Sequence, residues 1–181
     1  MQRGVDFLKA QITNAVAQHR LFLQSIEDHE SQATDQRYRD LCMRFIPRAV
    51  EHQHMLEDYE RSLGTSQQNE SLLQRGEGFA KKAVGTALGV ARDLADVVRE
   101  DDYLKLAGDI VLARQAEDTF KTFREGGRAL GLQQLAQIGE IGERHHDEFV
   151  KESNRLIQQL FIERVQGAEQ TIRAAEQPRT A

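Results

Sequence analysis

Three residues in the second half of the chain have the types and spacing of a metal site. Glu143 precedes His146 by one helical turn, and Glu117 lies on the preceding predicted helix. If the two helices form an antiparallel hairpin with its turn near Leu130, Glu117 and Glu143 are about equally far from the turn, so they face each other. Carboxylate and imidazole donors together suit iron, manganese or zinc. These three residues are therefore the first candidate ligands.

Two histidines in the first half of the chain lie where apolar core residues are expected. His19 continues the apolar stripe of the first predicted helix, and His52 is at the centre of the stripe of the second. Both lie near the middle of their helices, as His146 does. We therefore expect a mixed cluster of His19, His52, Glu117 and His146, with Glu143 at its edge.

The second predicted helix also contains a Glu-x-x-His pair, formed by Glu51 and His54. At about 100° per residue, both lie more than about 90° from the centre of the apolar stripe, so we expect them on the solvated face. A single inward histidine in a helical bundle is more often a core residue, satisfied by a neighbour or by water, than a ligand. Metal-free core histidines are therefore the alternative interpretation of the cluster.

The elements that position these residues are predicted to be helices. Ala, Leu, Gln, Glu and Arg dominate the composition, Trp is absent, and the 2 prolines are Pro47 and Pro178, which favours an all-α fold. We expect helix 3 to begin near Asp101 or Asp102 and to end at residues 126–127 or at Gly131. The apolar periodicity predicts four long helices in two antiparallel hairpins, at residues 5–30, 36–63, 101–131 and 132–166.

A long connection is predicted between the two hairpins. Residues 65–78 have the composition of a linker, and residues 79–100 form a helical pattern with one broad apolar face. We interpret both together as a crossover that contains an extra helix. Residues 1–173 are then a single helical-bundle domain, and residues 174–181 are expected to be a disordered tail.

Composition and charge exclude several classes of function. The net charge of −5, with both signs interspersed, provides no basic stripe for nucleic acid. No apolar run is long enough to span a membrane, and the N-terminus lacks the apolar region of a signal peptide. The single cysteine, Cys42, cannot form an internal disulfide and suits a reducing compartment. We find no phosphate-binding loop, zinc-binding cysteine pair or nucleophile elbow, and expect a cytoplasmic protein.

The layout and the second hairpin resemble the ferritin-like superfamily. The stretch AEDTFKTFREGGRALGLQQLAQIGEIGERHHDEF has a helix-3 Glu, a Leu-Gly ending and a Leu-Ala start that leads to Glu-x-x-His. The helix-2 ending DYERSLG, the polar linker and the following helix resemble the YciF-type bacterial stress proteins of that superfamily. The resemblance implies a four-helix bundle with a mid-bundle pair of iron or manganese ions, a role in oxidative or general stress, and a homodimer.

Carried over by position, the resemblance covers only part of the family's metal site. Glu117 corresponds to the helix-3 carboxylate, and Glu143 and His146 correspond to the helix-4 pair. On helix 1, His19 stands where the family has a Glu. We also expect the exposed part of the apolar face of residues 79–100 to provide a dimer contact.

Three functional hypotheses remain open at this point. The first is a ferritin-like bundle that binds one or two transition-metal ions, iron or manganese, between its hairpins. The second, favoured by the missing helix-1 Glu, is a metal-free ferritin-like bundle that serves as a structural or protein-interaction module. The third is a hemerythrin-like metal bundle, suggested by His19, His52 and His54, although helix 3 contains no histidine. Neither a reaction nor a small-molecule substrate is indicated by any motif.

Overall fold

The computed structural model describes residues 2–64 and 101–176, and this part of the chain is built from helices alone. The all-α prediction is confirmed for these residues. The predicted linker and crossover helix, residues 65–100, and residues 177–181 of the predicted tail lie outside the described residues. The helices are α1 (Gln2–Gln32), α2 (Gln36–Ser62), α3 (Asp102–Leu130), α4 (Gln133–Val165) and α5 (Glu169–Glu176).

The ends of the helices follow local sequence signals. The side chain of Asp35 caps α2 by accepting from the backbone of Arg37 and Tyr38, and Asp101 caps α3 in the same way. α3 continues to Leu130 and is terminated by Gly131, whose φ of 69° is left-handed, so the second of the two predicted endings is observed. The short helix α5 extends into the predicted tail as far as Glu176.

Contacts between side chains define the direction of each helix. Thr13 meets Glu60 while His29 meets Tyr38, so α1 and α2 are antiparallel. α3 and α4 are antiparallel as well. Between the hairpins, α1 is antiparallel to α3 and α2 is antiparallel to α4, so α2 and α3 run in the same direction. The contacts that show this are Arg128–Glu140 and Asp101–Arg164 for α3 and α4, Gln18–Gln115 and Ser25–Asp109 for α1 and α3, and Arg37–Glu163 and Arg48–Glu148 for α2 and α4.

The second hairpin is held together by close backbone contact. A Cβ atom at Gly139 would collide with the backbone of α3 at Phe120 and Arg124, and one at Gly127 would collide with the backbone of Ala136. At Gly142 the absence of a side chain leaves room for the ring of Phe120. These glycines therefore allow α3 and α4 to approach more closely than larger residues would permit.

Two apolar clusters form the core, one on each side of a polar layer. The first contains Phe22, Ile26, Leu106 and Phe149, and the second contains Ile12, Val16, Leu56, Phe120 and Leu135, among others. His19, His52 and His146 fall between the two clusters along α1, α2 and α4.

Three other residues of α2 lie where their types lead us to expect. Cys42 is fully buried in the first cluster, as expected for a small apolar residue. Glu51 and His54 are exposed, as predicted.

A second polar group is buried within the first apolar cluster. Asp109, which is 0% exposed, accepts hydrogen bonds from the hydroxyls of Ser25 (2.6 Å) and Tyr38 (2.5 Å). The Nδ1 atom of His29 lies 3.0 Å from both carboxylate oxygens. Asp109 thus links α3 to α1 and α2.

Candidate metal centre

Three histidines from three helices meet in the polar layer. His19 of α1, His52 of α2 and His146 of α4 are each no more than 2% exposed. One ring nitrogen of each lies within 4.8 Å of one ring nitrogen of the other two. Phe120 of α3 closes the fourth side, with its ring centroid 5.1–5.7 Å from those of the histidines. Three of the five candidate ligands predicted from the sequence are therefore brought together.

Each of these histidines has one ring nitrogen in a hydrogen bond to a neighbour. Nδ1 of His19 lies 3.1 Å from the side-chain oxygen of Gln53, and Nδ1 of His146 lies 2.8 Å from the carbonyl oxygen of Gly142. Because both oxygens only accept, both histidines carry their proton on Nδ1 and have a lone pair on Nε2. Nε2 of His52 lies 2.9 Å from Nδ1 of His145.

The other ring nitrogen of each histidine is buried and has no hydrogen-bond partner among the described residues. These atoms are Nε2 of His19, Nδ1 of His52 and Nε2 of His146. A buried polar atom without a partner costs free energy, and it is unusual to find three in one group. A metal ion would satisfy all three at once, and the hydrogen bonds on the opposite nitrogens match the support that metal-binding histidines usually receive from neighbouring residues.

Burial keeps the three histidines neutral. It lowers the pKa of His19 to about 4, against the raising effect of the hydrogen bond to Gln53. Burial and the neighbouring histidines lower the pKa of His146 to about 3 and that of His52 to about 2. All three rings are therefore uncharged at neutral pH, so each carries one proton and keeps a lone pair on its other nitrogen, which is the form that binds a metal.

The two predicted carboxylate ligands are not part of this group. Glu117 pairs with Arg114 on its own helix at 3.1 Å, and its side chain is 18% exposed. Glu143 forms an ion pair with Arg124 of α3. The physical reason is that Phe120 fills the side of the cluster that α3 contributes, while arginines on α3 attract both acidic side chains. The observed group thus differs from the predicted cluster by lacking both carboxylates.

A narrow cleft leads from the surface to the histidines. Its empty volume is about 180 Å³, including open solvent at its mouth. Four of the eight residues that line it are apolar, and His52 and His146 are among the other four. It is lined by Phe22, Phe45, Arg48, Ala49, His52, His145, His146 and Phe149. His52 and His146 therefore lie at the wall of this cleft, whereas His19 does not line it.

Two residues beside the cluster were missed by sequence reasoning. Gln53 and His145 are hydrogen-bond partners of His19 and His52, and such partners have no characteristic spacing from the ligands that they support. For Gln53 the one available signal is its position four residues before Glu57, a spacing at which an amide and a carboxylate can pair on a helix. His145 directly precedes His146 in the sequence, but this position does not predict its contact with His52.

Comparisons with known proteins give no family assignment. No family model matches the chain, and no curated protein and no solved structure shows significant similarity to it. In the part of the chain that the structure describes, no helix combines the length and the apolar character needed to cross a membrane.

Proposed function

We propose that this protein is a helical bundle that binds one transition-metal ion at mid-bundle through His19, His52 and His146. The observation that carries the proposal is the group of three buried ring nitrogens without partners. One ring nitrogen of each histidine lies within 4.8 Å of one ring nitrogen of each of the others, which is close enough for all three to contribute to one site. The neutral state of the rings leaves a lone pair on each.

The donor set favours particular metals. Imidazole suits zinc, copper, nickel and iron, whereas manganese prefers oxygen donors. Because Glu117 and Glu143 are in ion pairs with arginines, the proposal is for one ion and not for a carboxylate-bridged pair. Iron, expected from the family resemblance, stays within the favoured set. Three protein ligands are one fewer than the four of a tetrahedral structural zinc site, so the proposal includes a further small ligand such as water.

The ferritin-like assignment is part of the proposal. It is supported by two antiparallel hairpins in which α2 and α3 run in the same direction, as in a bundle with one long crossover connection. A role in oxidative or general stress and a homodimeric state rest on the sequence resemblance alone.

The proposal is tested by measuring metal content. Because the three histidines form one site, protein purified without a metal-affinity tag is expected to contain about one ion per chain. The double variant His19→Ala, His146→Ala is expected to contain none. His54→Ala is the matched control, because His54 is exposed and lies outside the cluster. Circular dichroism verifies that the variants remain helical.

One result would overturn the proposal. If the wild-type protein contains no metal, and its melting temperature does not rise when zinc, iron, copper, nickel or manganese is added, the histidines are core residues. The metal-free bundle that acts as an interaction module would then be the better hypothesis.

A further inference from the structure

We propose that Gln53 is a positioning residue that, held by Glu57 and Arg20, fixes the ring of His19 in the tautomer that binds a metal. This inference rests on the proposed function, and it adds a role for residues that are not ligands themselves.

A continuous chain of hydrogen bonds leads from the surface to His19. Arg20, whose side chain is 40% exposed, donates to Oε1 of Glu57 at 2.9 Å. The amide nitrogen of Gln53 donates to the same oxygen at 2.6 Å, and the amide oxygen of Gln53 lies 3.1 Å from Nδ1 of His19. Gln53 itself is only 5% exposed, so its amide is largely shielded from bulk water.

The donors and acceptors in this series of hydrogen bonds allow only one orientation of the Gln53 amide and one position of the His19 ring proton. An ionised carboxylate only accepts hydrogen bonds, so Glu57 requires the NH₂ group of Gln53 to face it. The amide oxygen of Gln53 then faces His19, and it can only accept, so the proton of the imidazole must lie on Nδ1. The lone pair is thereby placed on Nε2, the atom of His19 that is buried without a partner.

The ionised state of Glu57 is supported by its neighbours. Burial alone would raise the pKa of Glu57, but the hydrogen bonds from Gln53 and Arg20 outweigh burial, and the pKa is lowered overall. Glu57 therefore remains an acceptor at neutral pH. Without the oxygen of Gln53, nothing holds the proton of His19 on Nδ1, and a proton on Nε2 would block the buried nitrogen that has no hydrogen-bond partner among the described residues.

The test compares metal affinity in three proteins. Gln53→Leu removes the acceptor and keeps a side chain of similar size, and we expect its affinity for Zn²⁺, measured by competition with a chelator, to fall about 10–100-fold. The double variant Gln53→Glu, Glu57→Gln keeps an acceptor beside His19 and a donor–acceptor pair between positions 53 and 57. We expect this double variant to recover most of the affinity.

A second readout follows the tautomer of His19 directly. In metal-free protein, ¹⁵N NMR is expected to show the proton of His19 on Nδ1 in the wild type and in the double variant. In Gln53→Leu the proton is expected on Nε2 or shared between the two nitrogens. Should Gln53→Leu fail to fold, Glu57→Leu, at a half-buried position, frees the amide of Gln53 to rotate and should also produce a mixed tautomer.

The outcomes separate the two proposals. An unchanged tautomer or an unchanged Zn²⁺ affinity in a folded Gln53 variant would overturn the role of Gln53. If the wild type binds no metal, the proposed function fails. The tautomer measurement still decides whether Gln53 controls the ring, but its role in metal binding would fail with the site.

Discussion

The most unusual residues of this protein are three neutral histidines in the middle of a helical bundle. Each is at least 98% buried and each has a pKa lowered from 6.5, mainly by burial. In the unfolded chain the same residues would titrate near their ordinary pKa. The unfolded state therefore binds more protons than the folded state once the pH drops below about 6.5.

This difference predicts an acid-sensitive fold. We expect the free energy of unfolding of the metal-free protein to fall as the pH falls below about 6.5, by up to about 1.4 kcal/mol per pH unit for each histidine. The loss from His19 ends near its folded pKa of about 4, and the losses from His52 and His146 continue to lower pH.

Urea unfolding at a series of pH values measures the effect. His146→Leu, which removes one of the three titrating groups, should show a shallower slope than the wild type. His54→Leu, at an exposed position, should show the wild-type slope. A free energy of unfolding that stays constant between pH 7 and 5 would contradict the burial of three neutral imidazoles.

At the scale of the helix, the contact between α3 and α4 depends on residues without side chains. Gly139→Ala would place a methyl group against the backbone of α3, which cannot move out of the way as a side chain can. We expect this change to lower the free energy of unfolding by about 2 kcal/mol or more. Thermal or urea denaturation measures it.

Gly126→Ala is the matched control for this prediction. Gly126 is also within a helix, but a Cβ atom there would have no neighbour within 4 Å. Because alanine favours helix more than glycine does, the control should raise the free energy of unfolding by up to about 1 kcal/mol. Equal effects of the two changes would show that helix propensity, and not the α3–α4 contact, determines the result.

The four long helices and the inward histidines could be predicted from the sequence because each depends on a pattern within one helix. Periodicity placed His19 and His52 in the core and Glu51 and His54 outside it, as observed. Glu117 could not be placed in this way, because it lies beside the apolar stripe, where a small rotation of the helix decides between core and surface.

Helical periodicity also does not predict which residues the acidic side chains pair with. Glu143 is one turn before His146, yet its contact is Arg124 on the neighbouring helix. Whether a carboxylate on the edge of the core turns towards imidazoles or towards an arginine depends on how two helices are placed against each other. That placement depends on the close approach of α3 and α4 at Gly139 and Gly142.

At the scale of the whole molecule, Asp109 links three helices from both hairpins. Replacing it with alanine leaves the hydroxyls of Ser25 and Tyr38 and the ring of His29 without their shared acceptor. We expect Asp109→Ala to lower the free energy of unfolding by about 3 kcal/mol, measured by urea denaturation.

Asp118→Ala serves as the control on the same helix, since Asp118 is exposed. Its effect is expected to be within about 0.5 kcal/mol of zero. A loss for Asp109→Ala no larger than this would mean that the hydrogen bonds around Asp109 contribute little net stability.

The distribution of the three histidines has a consequence for the order of assembly. His19 and His52 belong to the first hairpin, whereas His146 belongs to the second. Each hairpin can form from contacts that are local along the chain, but the trio is complete only after the hairpins have docked. An ion bound there would contact both hairpins at once, so it would stabilise the docked bundle and neither hairpin alone. The site would thus stabilise the assembled bundle and not the separate hairpins from which it forms.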